Sequence, residues 1–188
     1  MKLGKTLDVA DRKAWRAWLS KNHSREKEIW LVYYRKSSGK PRMPYNDAVE
    51  EALCFGWIDS QVKGINSEKY AQRFSPRNPK SGLSEMNRQR ILKLIAQKKM
   101  TRAGLDAVAD SLAPGRLKIA PDILGPLKAD KEAWKNFRKM PIGYKRIRIA
   151  FIESRRRHGK EMFGKSLANF IRMTAKNKRF GFVKEFRD

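Results

Sequence analysis

The chain has 188 residues, which is enough for one larger domain or two small ones with a buried core. Its 40% hydrophobic and 10% aromatic residues exclude an intrinsically disordered protein. A net charge of +25, from 44 Lys and Arg against 19 Asp and Glu, favours contact with a polyanion: nucleic acid, an anionic lipid surface or an acidic protein. The alternative is a very soluble protein whose solvated basic face has no such partner.

The first 112 residues alternate between helical and strand patterns. Apolar residues recur every three or four positions in the helical segments, whereas β-branched and aromatic residues dominate the strand segments. Gly56 is placed to end the second helix. In chain order, we predict a helix capped by Asp8, a strand at 28–35, a helix capped by Asn46, strands at 59–63 and 69–74, a helix after Ser84 and a short helix opened by Thr101.

The residues after 112 predict helices only. Residues 113–125 contain several Pro and Gly and form the best linker candidate. Asp130 is predicted to cap a helix, and a last helix includes residues 167–174. Residues 144–154 fit a helix, although alternating Ile and Arg within them also fit a strand. We prefer the helix because a charged stretch continues from it without turn residues.

Together these patterns predict an α+β fold. A small antiparallel sheet packed with helices is expected in a domain at 1–112, and a basic helical module is expected at 121–188. The sequence contains no P-loop, no dinucleotide-binding fingerprint and no zinc motif, so we expect no cofactor.

The cysteine and histidine content indicates where the protein is located in the cell and whether it binds a metal ion. Cys54 is the only cysteine, so no intrachain disulfide forms and a reducing, cytoplasmic location is predicted. The start of the chain, MKLGKTLDVADRKAW, lacks an apolar signal segment, and the apolar runs are too short to span a bilayer. The two histidines, His23 and His158, lie far apart in sequence, so we expect no metal site.

An arginine-containing block follows the second predicted helix. If residues 59–63 and 69–74 form a hairpin, Asp59 and Arg73 are placed to pair across it. Such a pair has a structural reading, in which it orients the hairpin. In the functional reading, an anion is bound by four residues, of which two supply guanidinium groups and two supply hydroxyl or backbone donors: Arg73, Ser75, Arg77 and Ser84.

The C-terminal part is the most basic. Residues 135–160 hold ten Lys and Arg against one acid, Glu153. Aromatic residues interleave with these cations, as in nucleic-acid-binding segments, although aromatic residues at helical spacing also fit a core. The candidate polyanion-binding residues are Arg146, Arg148, Arg155, Arg156 and Arg157.

Two further groups of reactive side chains favour structural roles. Cys54 lies among apolar residues near a helix C-terminus, where the helix dipole raises a thiol pKa, so we expect a buried, inert cysteine. Glu50 and Glu51 are adjacent and point to different sides of their helix. We interpret them as part of a solvated helix rather than as an acid–base pair.

Several sequence blocks resemble a known family. The run EEALCFGWIDSQ, the following RFSPR, a helix starting with Ser84 and Asn87, and the Met100-Thr101-x-x-Gly104 pattern are similar to the YdeI/OmpD-associated family. The resemblance implies a role in bacteriocin protection or stress resistance. It carries over no catalytic residue, because the family has no accepted ones.

Two functions remain open from the sequence. The first is a non-catalytic protein that binds an anionic partner, with nucleic acid first and an anionic lipid surface or acidic protein second. The alternative is an enzyme for a small anionic substrate held by Arg73 and Arg77, with Asp59 as the base. An enzyme requires these side chains to converge in a closed pocket, whereas a binding protein requires an open basic face.

Overall fold

The structure, a computed structural model, describes residues 3–113 and 115–181. The described chain divides into two compact units. The first unit holds the residues up to Leu83 together with Arg90–Leu112, and the second holds Ser84–Gln89 and the residues from Ala113 onward.

Within its described residues, the first unit is built on a four-stranded sheet. Its strands are β1 (Thr6–Asp8), β2 (Ile29–Tyr34), β3 (Trp57–Gly64) and β4 (Lys69–Pro76). The strand order is β1-β2-β4-β3, with β1 parallel to β2 and the other neighbours antiparallel. The predicted α+β class is confirmed, and the short β1 makes the sheet mixed.

Four α-helices in the described part of the chain belong wholly or partly to this unit: α1 (Arg12–Asn22), α2 (Tyr45–Cys54), α3 (Glu85–Ala96) and α4 (Arg102–Asp106). Asp8 was predicted to cap α1 but lies in β1, because it pairs with β2. Asp11 is the cap instead, and its Oδ1 accepts a hydrogen bond of 2.9 Å from the Ala14 amide. Asn46 lies inside α2 rather than at its cap, and its Oδ1 accepts from Arg90 at 2.8 Å.

The core of the first unit lies on one face of the sheet. Alternate residues of β2, namely Ile29, Leu31 and Tyr33, point to this face, as the two-residue period of a strand requires. They pack with Trp15 of α1 and Phe74 of β4, whose rings meet edge to face at 5.4 Å. Trp15 is fully buried and joins α1 to the sheet in this core.

The second unit is helical. Its helices are α5 (Pro121–Ala129), α6 (Lys131–Lys139), α7 (Ile142–Ser154) and α8 (Lys160–Ala175). Asp130 caps α6 as predicted, with its Oδ1 accepting from the Ala133 amide at 2.9 Å. The predicted linker is too long, because Pro121 starts α5 and fits the first turn of a helix.

Residues 144–154 are helical, as preferred over the strand alternative. Tyr144 and Ile152 lie eight positions apart, on one side of α7, and both are fully buried with Phe170 of α8. No helix among the described residues has both the length and the apolar composition needed to cross a bilayer.

A close backbone approach joins α4 to the end of α2. The Thr101 amide and hydroxyl both donate to the Cys54 carbonyl, at 3.0 and 2.6 Å. Thr101 Oγ1 also caps α4 by accepting from the Gly104 amide. A Cβ atom on Gly104 would lie 2.2 Å from the same carbonyl oxygen, so only glycine fits there.

We expect Gly104→Ala to destabilise the protein by about 2 kcal/mol or more, because the overlap is with backbone that cannot move aside without breaking the Thr101 contacts. Gly164→Ala is the matched control. Gly164 lies on the exposed side of α8 with open space around it, so Gly164→Ala should raise the free energy of unfolding, by at most about 1 kcal/mol. Urea unfolding of both variants measures the difference, and equal stability of the two would contradict the close approach.

Candidate anion-binding surfaces

The register of β3 and β4 separates Asp59 from Arg73. Asp59 lies opposite Phe74, whose side chain points into the core. Successive side chains on a strand point to opposite faces, so Arg73 faces away from the side that carries Asp59. The predicted Asp59–Arg73 pair is therefore wrong, because a difference of one residue in register places the two on opposite faces.

Asp59 has neutral partners on the core side of the sheet. Its Oδ2 accepts from the Tyr45 hydroxyl at 2.9 Å and from Gln72 Nε2 at 2.7 Å. Burial, followed by the charge of Asp59, raises the pKa of Tyr45 to about 12, so this phenol stays protonated at neutral pH. Asp59 therefore accepts hydrogen bonds that position α2 against the sheet.

Arg73 has an acid partner on the outer face. Its guanidinium contacts Glu28 Oε2 through Nε at 2.8 Å and through Nη2 at 2.7 Å. The hydrogen bond from Arg73 holds the pKa of Glu28 below its usual range. Glu28 Oε1 also accepts from the Trp30 indole at 3.2 Å. Arg73 is thus engaged within the protein, and the predicted base Asp59 faces the other side.

The remaining members of the predicted anion site are separated as well. Arg77 is buried, with 7% of its surface exposed, and its guanidinium donates to the backbone oxygen and the hydroxyl of Ser81. Ser75 lies on β4. Ser84 belongs to the second unit, where its hydroxyl accepts from the Asn87 amide at 3.3 Å. The four residues therefore do not form a single anion site within either unit.

The three consecutive arginines among the candidate polyanion-binding residues have unequal environments. Arg156 binds both oxygens of Asp122 at 2.7 and 2.9 Å and also pairs with Glu153. Arg155 lies 4.2 Å from the centre of the Phe151 ring. Arg157 is exposed and donates to His158. Arg156 and Arg157 are both exposed, but the carboxylates of Asp122 and Glu153 already hold Arg156.

The two arginines of α7 are not open surface cations either. Arg146 is half-buried and donates to the Gly115 carbonyl. Arg148 has 5% of its surface exposed, and burial lowers the pKa of its guanidinium. The sequence contained the signal for this burial, because Arg148 lies four residues after Tyr144 and four before Ile152, on the buried stripe.

An exposed row of cations lies on α6 instead. Lys131, Lys135 and Arg138 are exposed and follow the spacing i, i+4 and i+7, which places them on one side of the helix. The opposite side buries Ala133 and Phe137. Sequence interpretation missed this row because it chose residues by the density of arginines rather than by their position around a helix.

The end of α8 lies next to α6. Asn136 of α6 donates to the carbonyls of Thr174 and Ala175, both at 3.0 Å. Lys176 and Lys178 follow directly and are exposed. We call the exposed cations on these two neighbouring segments the α6/α8 basic surface: Lys131, Lys135, Arg138, Lys139, Lys176 and Lys178.

A buried ion cluster joins α1 to α2. Glu51 is 3% exposed and pairs with Arg12 at 2.5 Å and with Arg16 at 2.6 Å. Glu50 is 7% exposed and pairs with Arg12 at 3.0 Å and Lys93 at 3.9 Å. Burial alone lowers the pKa of Arg12 and Arg16, but the hydrogen bonds and charges of their neighbours, Glu51 first, together outweigh it and raise both. The solvated-helix interpretation of Glu50 and Glu51 is therefore wrong.

Cys54 is free and fully buried, as expected from its apolar neighbours. Burial, followed by the charge of Glu51, raises the pKa of its thiol, which disfavours the reactive thiolate. Within the described ranges, no group of three or more His, Cys, Asp or Glu side chains is arranged to hold a metal ion.

These features define a small α+β protein with a buried ion cluster in its first unit and a basic helical second unit. Residues 7–107 match the family described as a domain of unknown function, DUF8412, and the match spans more than half of the chain. The chain therefore belongs to that family. No curated protein and no solved structure matches it.

This match corrects the resemblance drawn from short sequence blocks. The matching family is DUF8412, and no match to the YdeI/OmpD-associated family is found. The quoted blocks contain residues with packing roles in this fold, such as Trp57 in the core and Gly104 against the Cys54 carbonyl. Residues that satisfy packing needs recur in unrelated proteins and do not identify a family.

The buried cluster around Arg12 and the partly exposed Arg73–Glu28 pair test how burial controls the strength of an ion pair. We expect Arg12→Met to lower the free energy of unfolding by about 2 to 4 kcal/mol, because it leaves two buried carboxylates with fewer partners. Arg73→Met is the matched control and should cost at most about 1 kcal/mol, because both Arg73 and Glu28 are partly exposed. Chemical denaturation measures both, and similar losses would show that the cluster is not a specific stabilising feature.

Proposed function

We propose that this protein binds nucleic acid without catalysis, through phosphate contacts of the α6/α8 basic surface. The observation that supports the proposal most is the charge imbalance of the second unit. Residues 115–181 contain 19 Lys and Arg against five Asp and Glu, so most cations there have no carboxylate to pair with. Unpaired cations on an open surface favour a partner that carries many negative charges.

The geometry favours phosphate contact over base stacking. Tyr144 and Phe170, two of the aromatic residues interleaved with the cations, are fully buried and cannot stack on bases. The exposed side chains of the α6/α8 basic surface are long, flexible cations that suit a repeating phosphate backbone. We therefore propose binding with little sequence preference. The reducing, cytoplasmic location predicted from the sequence stays a prediction.

Salt dependence tests the proposal. Duplex DNA with a fluorescent label is titrated with the full chain at several salt concentrations, and the log–log slope is expected to report several phosphate contacts, at roughly 0.9 per contact. Replacing Lys131, Lys135 and Arg138 with Gln should reduce the slope by about 2 to 3. The affinity of this variant should fall most strongly at low salt.

A charge-matched control uses three exposed lysines of the first unit, Lys13, Lys21 and Lys27, each replaced with Gln. It removes the same net charge but should leave the slope within about half a contact of wild type. Equal slopes for the two triple variants would refute the assignment to this surface. Tight binding to phosphatidylserine vesicles, with no binding to DNA, would refute nucleic acid as the partner and favour an anionic membrane surface.

A further inference from the structure

A cavity of about 370 Å³ lies in the second unit, between α7, α8 and the chain that follows α8. This volume lies within the range of sites that hold small ligands, roughly 300 to 1,000 Å³. Its walls are mostly apolar and include Met86, Ile147 and Phe151. Arg148 and Arg155 supply two positive charges to the same cavity. An apolar cavity with a few placed polar groups is typical of a ligand site.

Arg148 is the unusual side chain of this cavity. It is 95% buried, and its guanidinium lies over three rings, at 4.0 Å from Phe180, 4.9 Å from Phe151 and 5.9 Å from Phe170. Its buried Nε has no hydrogen-bond acceptor, and no carboxylate among the described residues pairs with it. The rings stabilise the charge, but they do not accept its N–H groups as an oxygen does. Arg148 therefore retains donor capacity for an anion.

Two further groups line the cavity. The Arg155 guanidinium lies over the same Phe151 ring at 4.2 Å, so both charges sit around one aromatic side chain. Asn169 accepts a hydrogen bond of 2.6 Å from Arg172 through its Oδ1. The Asn169 amide nitrogen, which is a donor, belongs to the same side chain. Donors and cations thus converge in this cavity, whereas carboxylates do not line it.

We propose that this cavity binds a small aromatic anion, a flat ring that carries a carboxylate or a phosphate. The anionic group accepts hydrogen bonds from Arg148 and Arg155, and the ring packs against Met86, Ile147 and Phe151. The ring requirement follows from the apolar walls, and the charge requirement follows from the buried guanidinium without an acceptor. This site lies apart from the exposed cations of the α6/α8 basic surface and does not depend on nucleic-acid binding.

Calorimetric titration of the full chain tests the proposal with four probes. They are 2-naphthoate, an aromatic carboxylate; AMP, an aromatic phosphate; adenosine, a ring without the anion; and inorganic phosphate, an anion without the ring. At least one aromatic anion should bind about tenfold or more tightly than both adenosine and phosphate. The comparison of 2-naphthoate with AMP separates a carboxylate ligand from a phosphate ligand.

Arg148→Met keeps an unbranched stem that reaches about as far as the Nε atom and removes the charged group. It should weaken binding of the preferred probe by at least about tenfold, while the melting temperature without ligand stays unchanged or rises, because a buried charge without an acceptor is removed. Arg155→Met, at a half-buried position, should also weaken binding about tenfold and serves if Arg148→Met does not fold. Arg157→Met, which removes an exposed neighbour, should bind as wild type does.

The proposal is overturned if neither aromatic anion binds more tightly than adenosine and phosphate. It is also overturned if a folded Arg148→Met or Arg155→Met variant keeps wild-type affinity. Loss of DNA binding in the Lys131, Lys135 and Arg138 variant, with unchanged binding of the aromatic anion, would separate this site from the nucleic-acid proposal.

Discussion

The chain has only 19 carboxylates to pair with 44 cationic side chains, and the rest of this structure depends on where those carboxylates lie. The first unit places its acids where they matter most, at the buried cluster of Glu50 and Glu51 and at the Glu28–Arg73 pair. A buried carboxylate requires a cation, so Glu50 and Glu51 hold Arg12 and Arg16 within the fold. The second unit has too few acids to do the same, and its other cations include exposed side chains, arginines over aromatic rings and Arg146, which donates to a backbone carbonyl.

This pairing within the first unit explains why the stretch from α2 to β4, which was predicted from the sequence to hold an anion site, has a structural role. The stretch from α2 to β4 holds Asp59, Arg73 and Arg77, yet each of these side chains is bound to another part of the first unit. Glycine at position 104 lets α4 reach the end of α2. The exposed cations of the α6/α8 basic surface and the cavity beside Arg148 lie instead in the second unit, largely beyond residues 7–107 of the DUF8412 match.

Local sequence patterns predicted most helices and strands, whereas contacts between residues distant in sequence determine which side chains are free to bind a partner. Asp130 was predicted as a cap because capping depends on the next three residues alone. Asp8 was misread because β1 forms only by pairing with β2, which no local pattern reveals. The predicted Asp59–Arg73 pair is wrong because the strand register differs by one residue from the one assumed. Arg148 was predicted to be a surface cation, although its helical spacing from Tyr144 and Ile152 places it on the buried side of α7.

We propose that the second unit, where cations exceed acids most strongly, meets the polyanion. Amide hydrogen exchange of the full chain, with and without duplex DNA, tests it most directly. The account predicts slowed exchange in α6 and around the end of α8, with β3 and β4 unchanged. Slowed exchange in β3 and β4 with none in α6 would contradict it, because the partner would then bind the sheet, where Arg73 and the adjoining Arg77 are already bound within the first unit.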